Sequence, residues 1–383
     1  MTLKLRRDYA AGIRAGRPWV FRDAVEPPQG CRAGDVVDLV DGQGAFVARG
    51  LVEPESQLVF RAYTLDPDEA VDARLVERRV ADARRLRNTF VPPDVTGFRA
   101  MHGEADGVPG LQCDLYDGVA SLRTDGRIGI VWEERFVRAV KKVWNPRAVV
   151  VRNPHRDDCK AVVIEGRVEH EVIIAEGPRR FRVNVLEGQK TGFFLDQREN
   201  RDRVGRLSQG RRVLNCFAYT GGFSIAAAQG GASRVVTVDI ARPAVDAARE
   251  NFRLNGLDPD VHGFEAADAF DVLAALKPGD FDLIVVDPPS FAPNQKSLDR
   301  ALRAYQKLNE HALRALPPGG ILASASCSSH VTEAAFLDML GASARAVGRA
   351  VTVTGIYGAG ADHPVRLGFP EGRYLDFVLL IAH

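Results

Sequence analysis

From residue 211 onward, β-type apolar runs alternate strictly with amphipathic helical runs, and no other feature of the chain narrows its fold as far. The β-type runs occupy residues 212–216, 234–239, 261–266, 281–287, 320–326, 351–356 and 374–381. Apolar residues at helical spacing fill 222–229, 243–254, 269–276, 298–316 and 331–346 between them. A strand that returns through a helix to its neighbour runs parallel to it, so this grammar predicts an α/β, doubly wound sheet. The last two runs lack a strong helix between them, which predicts a terminal hairpin and one antiparallel strand.

Upstream the grammar differs twice. Residues 1–68 are short β-like runs broken by Gly and Pro. Two alternating runs at 35–40 and 45–50 flank Asp41-Gly42-Gln43-Gly44, a hairpin signature, and a further run covers 57–63. Residues 69–185 read as an α+β domain. It opens with a helix over 69–90 and continues with strands near 111–115, 119–124, 149–151 and 162–164, a helix near 130–143, and a hairpin through 172–174 and 181–185. Residues 186–383 hold the α/β domain. The 69–90 helix carries Arg74, Arg78, Arg79, Arg84, Arg85 and Arg87 on its polar side, either as a solvated face or as a surface for phosphates.

The net charge of +1 excludes an overall basic field, so any nucleic-acid contact must come from a local patch. Only eight of the 51 basic residues are Lys, a bias toward the forked donor that suits phosphate and that the codon composition of a GC-rich genome explains at least as well. The five cysteines at 31, 113, 159, 216 and 327 form no CxxC pair, which argues against a zinc finger or a disulfide framework. The first residues turn charged at once and no 18-residue apolar run follows, so a reduced, cytoplasmic protein is expected.

The residues with chemistry sit at the ends of the predicted parallel strands. After the first comes Asn215-Cys216-Phe217-Ala218-Tyr219-Thr220-Gly221-Gly222, whose glycines let a ligand approach the backbone. Asp239 ends the second strand, where an acid can accept both hydroxyls of a ribose or cap the next helix. Asp268 can likewise cap a helix or receive an adenine amino group. The fourth strand delivers Asp287-Pro288-Pro289-Ser290-Phe291. Its rigid prolines aim a carboxylate and a carbonyl at one place, beside a ring that can stack a base. The fifth leads into Ser326-Cys327-Ser328, ahead of a helix expected from residue 331, whose dipole would lower a thiol pKa. The polar string from Gly188 through Lys190, Asp196 and Arg198 to Arg201 has the look of a lid over a cofactor.

Together these residues resemble the bacterial 23S ribosomal RNA cytosine-5 methyltransferases of the subfamily that joins a PUA domain, a central α+β domain and a class I, Rossmann-like methyltransferase domain. The resemblance spans nearly the whole chain. Its N-terminal part rests on Arg14-Ala15-Gly16-Arg17-Pro18-Trp19-Val20-Phe21, its centre on His102-Gly103-Glu104-Ala105-Asp106-Gly107-Val108-Pro109-Gly110, and its last part on the motifs above. It implies S-adenosylmethionine as cofactor, held by Phe217, Ala218, Tyr219, Thr220, Gly221, Asp239, Asp268, Asp287, Asp196 and Arg198. It implies Cys327 and Asp287 as catalytic residues, and Pro288, Pro289, Phe291 and Lys190 at the substrate; no metal is implied. The expected partners are 23S ribosomal RNA, free or in an assembly intermediate, and a second copy of the chain, with no membrane. Two departures stand out. An Asn-Cys-Phe-Ala string replaces the usual acid-led glycine motif, and Asp287-Pro288-Pro289 occupies the place of a second cysteine, which leaves open the base that removes the C5 proton. Methylation of an exocyclic amine (guanine N2 or adenine N6) and a catalytically idle RNA-binding or assembly factor are the competing functions.

Overall fold

The computed structural model describes residues 1–6, 8–26, 29–153, 161–188, 191–292 and 294–383. They divide into two compact units. The first gathers Met1–Gly177, Val183–Asp196 and Ala361–Gly372; the second gathers Pro178–Arg182, Gln197–Gly360 and Arg373–His383.

The first unit opens with β1 (Thr2–Lys4), α1 (Ala10–Arg14), β2 (Trp19–Phe21), β3 (Val36–Val40), β4 (Phe46–Val52) and β5 (Leu58–Thr64), joined in one sheet of order β1-β3-β4-β5-β2. The β3–β4 hairpin turns at Gly44, whose φ of 88° favours glycine, while Asp41 Oδ1 accepts from the Gln43 and Ala45 amides. Next come α2 (Ala73–Phe90), β6 (Gly97–His102), β7 (Leu111–Tyr116), β8 (Val119–Thr124), α3 (Gly126–Trp144), β9 (Ala148–Arg152) and β10 (Val162–Glu165). Their sheet has the order β10-β9-β8-β7-β6, and Leu75, Val76 and Val80 of α2 join Trp132, Phe136 and Val140 of α3 in its core.

The arginines of α2 are mostly used within the fold. Arg87 is buried and donates to the Arg99 carbonyl (2.9 Å), Asp106 (2.6 Å) and the Asp362 carbonyl (2.8 Å). Arg78 and Arg79 pair with Glu69, Arg85 with Asp82, and Arg84 donates to the Val143 carbonyl. Arg74, Arg78, Arg84 and Arg85 nevertheless stay exposed, so the burial withdraws Arg87 and not the whole basic face. β6 escaped sequence reading because Arg99 interrupts its apolar run; the structure buries that arginine against Asp114.

The second unit carries the α/β grammar. After β11 (Val172–Glu176), which belongs to the first unit, and β12 (Arg179–Val183) follow α4 (Arg198–Arg206), β13 (Arg212–Cys216), α5 (Gly222–Gln229), β14 (Arg234–Asp239), α6 (Arg242–Leu254), β15 (Gly263–Ala266), α7 (Ala269–Ala275) and β16 (Leu283–Val286). Then come α8 (Leu298–Ala315), β17 (Ile321–Ser326), α9 (Glu333–Ala346), β18 (Val351–Tyr357) and β19 (Asp376–Ala382). The sheet order is β15-β14-β13-β16-β17-β19-β18, parallel throughout except for β19, which pairs antiparallel with both neighbours. The sheet is sealed on both faces. Leu214, Val236, Ile284, Leu322 and Leu380 face α8 and α9, whereas Val213, Val235, Leu283, Ile321 and Leu379 face α5 and Val204 of α4. This two-sided burial explains why the strands read as continuous apolar runs.

Among the described residues no helix is long and apolar enough to cross a membrane. Leu322 is fully buried in the middle of the sheet. Leu322→Ala should cost about 2–5 kcal/mol in denaturant unfolding. A loss below about 1 kcal/mol would mean that this face of the sheet is not the core.

Candidate active site

Strand order reverses between β13 and β16, and ligands of open α/β sheets bind outside the carboxyl ends at such a point. Both motifs singled out in the sequence emerge there. After β13 the chain adopts left-handed backbone at Phe217 (φ 57°), Tyr219 (φ 48°) and Gly221 (φ 83°). Two non-glycine residues in that region cost of order 1–3 kcal/mol each, so the loop holds its shape only because its surroundings dictate it. Those surroundings are identifiable. The Ala218 amide donates to the Val238 carbonyl, the Tyr219 amide to Asp239 Oδ2 (2.8 Å), and Asn251 Nδ2 to the Thr220 carbonyl (3.1 Å). At Gly221 a Cβ would come within 2.9 Å of Ala248 Cβ, so α6 packs where only glycine fits.

Asp239 accepts a second amide, from Ala241, at Oδ1 (2.9 Å). Each carboxylate oxygen has room for two hydrogen bonds, so both keep acceptor capacity for a ligand. The Thr220 hydroxyl and Asn215 Oδ1 are buried with no hydrogen-bond partner among the described residues. Asp268 caps α7 through the Phe270 amide (2.8 Å), one of the two roles its position allows. Ile240, beside Asp239, is 74% exposed, an apolar side chain that sequence reading passed over.

On the β16 side, Asp287 Oδ1 accepts from Gln197 Nε2 at 3.1 Å. The Cys327 thiol donates to the Pro288 carbonyl across 3.8 Å, bringing the two motifs to one place. Ser328 ties them further. Its hydroxyl lies 3.0 Å from Ser290 Oγ and 3.1 Å from the Tyr305 hydroxyl, which also accepts from Ser326 Oγ at 3.2 Å. Phe291 is half-buried and packs its ring 5.0 Å from Tyr305 and 6.3 Å from Phe270; Phe270 in turn lies 6.5 Å from Phe217. One aromatic row thus links the two loops. Pro289 continues the same turn.

Three further expected residues are Arg198, Asp196 and Lys190. Arg198 is buried at the start of α4, close to Glu199. Asp196 is buried in the first unit, and Lys190 lies outside the described residues. One expectation needs correcting. α9 starts at Glu333 behind the Thr332 cap, whose hydroxyl accepts from the Ala335 amide, so Cys327 does not occupy the first-turn position where a helix dipole acts. Sequence reading also missed Tyr305, which resembles any core aromatic of an amphipathic helix, and Asp376. In the β17–β19 pairing Asp376 stands opposite Ser326, and Arg373 lies 3.6 Å from its carboxylate. Only the register of an antiparallel pair brings them together.

Comparison with known proteins adds three findings. A family model described as S-adenosylmethionine-dependent methyltransferase matches residues 137–347, and one described as a PUA-like domain matches residues 3–65. The chain is 34% identical over 385 residues to the "Ribosomal RNA large subunit methyltransferase I" of Shewanella denitrificans, with 97% of each chain covered. It is 37% identical over 369 residues to the protein of that name from Serratia proteamaculans, covering 94% of this chain and 93% of the relative. The crystal structure of SMU.776, a methyltransferase complexed with SAH, has the same fold. The TM-score is 0.87 at 21% identity, with 100% of this chain and 99% of that one covered.

Burial pushes the Asp376 carboxyl up to about 6, with Arg373 opposing the rise and Glu333 adding to it. Between about pH 4 and 6 the folded chain therefore keeps a proton that the unfolded chain has released. Stability from this group is greatest below that window and falls by roughly 2–3 kcal/mol as pH rises through it. Asp376→Asn should remove that slope from a stability–pH curve. Parent and variant curves of equal slope between about pH 4 and 6 would contradict the assignment.

Proposed function

We propose, from the premise that this chain belongs to the S-adenosylmethionine-dependent methyltransferase family that includes the ribosomal RNA large subunit methyltransferases I, that it methylates C5 of a cytosine in 23S ribosomal RNA through a covalent Cys327–C6 adduct. The observation that carries this reading is the meeting of the Cys327 thiol with the Pro288 carbonyl beside Asp287. S-adenosylmethionine is the cofactor, and when bound it supplies an electrophilic methyl group. The residues present fit it. Asp239 retains lone pairs for the ribose hydroxyls, the 217–221 loop with its unpartnered Thr220 hydroxyl suits the methionine portion, and Asp268 and Ile240 suit the adenine. In the same reading the chain is organised as 1–68, 69–185 and 186–383. It acts in the cytoplasm on free RNA or an assembly intermediate.

C5 of cytosine is a poor nucleophile, and addition of a thiolate at C6 makes it an enamine-like one. The target base must leave its stack to reach the thiol. Loss of the thiol proton also frees the Pro288 carbonyl, which can then accept from the cytosine N4 amine. Asp287, oriented by Gln197, takes the N3 edge. The proton given up by the thiol passes through it to N3, where it neutralises the charge pushed into the ring and leaves the carboxylate ionised, and it returns to the sulfur when the thiolate leaves. After C5 is methylated, its proton passes to Asp287 or a water held by it, the C5–C6 double bond re-forms and the thiolate leaves. The Ser290–Ser328–Tyr305 hydroxyls keep both turns in place throughout. Methylation of an amine requires Asp287-Pro288-Pro289-Ser290-Phe291 but no thiol.

Two measurements test these assignments. Asp239→Ala should weaken S-adenosylmethionine binding by roughly 10- to 150-fold, the worth of a lost charge-assisted hydrogen bond. Parent-like affinity would remove Asp239 from the cofactor site. Cys327→Ala should abolish turnover with cofactor binding intact, and 5-fluorocytidine RNA should trap an adduct with the parent only. Near-normal methylation by Cys327→Ala would favour the amine chemistry. An inactive parent with intact RNA binding would favour the assembly factor.

A further inference from the structure

The segment Ala361–Gly372 lies far along the chain from the first sheet, yet it packs within the first unit. Its anchors are specific. Asp362 accepts the Arg99 amide at Oδ2 (2.8 Å) and Arg87 at its carbonyl, the Phe369 ring meets Trp19 edge-on at 4.6 Å, and Glu371 pairs with Arg17. Between these anchors the backbone runs against the end of α1. A Cβ at Gly368 would lie 1.9 Å from the Ala15 carbonyl oxygen, and one at Gly16 would lie 3.1 Å from Arg366 Nε. Gly368 thus permits a backbone approach that no other residue allows there, and Arg366 lies over Gly16.

Arg366 there lines a cavity of about 110 Å³ together with Arg17, Tyr63, Thr64 and Arg79. Three guanidiniums from three distant stretches of chain converge on it. Arg17 is balanced by Glu371, and Arg79 shares Glu69 with Arg78 and donates to the Gly107 carbonyl. Arg366 has no carboxylate partner among the described residues. Burial lowers the pKa of Arg79; Glu69 and Tyr63 oppose that shift, and the positive charges of Arg366 and Arg78 add to it. Thr64 Oγ1 accepts from the Asp66 amide, which leaves its own proton available to an acceptor in the cavity.

We propose that this cavity is a phosphate-binding site, and that its occupant is a backbone phosphodiester of the RNA substrate. The assignment rests on the RNA reading above. Guanidinium forks match phosphate oxygens bidentately, and a site where one of three converging guanidiniums lacks a carboxylate suits a group that carries charge without sequence information. Such a contact fixes the register of the RNA on the first unit and leaves base recognition to the Asp287–Cys327 site.

Arg366→Gln is the informative variant, since its guanidinium has no hydrogen bond or ion pair with another side chain among the described residues. Binding of a 23S ribosomal RNA transcript to the intact protein is measured against salt concentration. Each phosphate contact contributes about 0.7–0.9 to the slope of log K on log salt. The variant should lose about one such increment and bind roughly 5- to 20-fold more weakly at moderate salt, with S-adenosylmethionine affinity and melting temperature unchanged. Arg366→Lys should keep the slope and lose part of the affinity, because charge is retained and the fork is not. An unchanged slope for Arg366→Gln, with the parent binding steeply, overturns the site and leaves the methylation reading intact. An arm with inorganic phosphate separates the two sources of the anion. Phosphate that raises the melting temperature of the parent and not the variant, with RNA slopes equal, would assign the cavity to a small free anion and overturn the RNA assignment. A parent with no salt-dependent RNA binding overturns the RNA reading itself, and this proposal with it.

Discussion

The pairing of β13 with β16 is the constraint from which the site follows. Val213 lies opposite Leu283, Leu214 opposite Ile284, Asn215 opposite Val285 and Cys216 opposite Val286, and all eight side chains are fully buried. A slip of one residue would exchange the faces of a strand that is sealed on both sides, placing side chains shaped for α8 and α9 against α5. The register therefore has no nearby alternative. Because both strands end at one level, the 217–221 loop and the Asp287 turn leave the sheet side by side. The neighbouring pairs β13–β14 and β16–β17 then fix Asp239 and the turn at Cys327 at that same edge.

Polar groups convert that scaffold into a rigid site. Asn215 Nδ2 and Thr237 Oγ1 both reach Ser224 Oγ at 2.9 Å, joining β13, β14 and α5 beneath the loop. On the other side Tyr305 of α8 collects Ser326 and Ser328, and Ser328 collects Ser290. Buried hydroxyls are costly when unpaired and weak individually when paired, so shared networks of this kind favour one arrangement strongly. That property suits a site whose thiol and carbonyl acceptor must hold fixed positions while a base is bound, attacked and released.

How much of this was legible in the sequence depends on whether the signal was local. The parallel strands were, because two-sided burial leaves apolar runs of β length, and so were the acid and the cysteine at their ends. α4 was not. Its nine residues are polar apart from Val204 and Gly205, and it is held by buried Asn200 and Arg201 rather than by an apolar stripe, so periodicity carries no trace of it. The start of α9 was read too early because Val331 fits the apolar spacing, whereas Thr332 supplies the cap. Asp376, opposite Ser326, and the 361–372 segment in the first unit depend on pairings between residues far apart in the chain, which no window of sequence contains.

The arginines make the same point about charge. Composition counts 51 basic residues against 50 acidic ones, and a helix bearing six arginines invites reading as a nucleic-acid surface. In the fold, however, a guanidinium attracts phosphate only to the extent that carboxylates and carbonyls have not already engaged it. Arg87 and Arg99 are buried with Asp106 and Asp114, and Arg61 with Glu53. Those pairs specify the packing of the first unit, since removing either partner would strand a buried charge. What is left for an external anion is a local excess, set by where carboxylates are missing rather than by where arginines are abundant. In a chain of nearly zero net charge, such an excess arises only when tertiary structure carries an arginine away from its acidic neighbours in sequence, as the close passage of Gly368 over Ala15 does for Arg366.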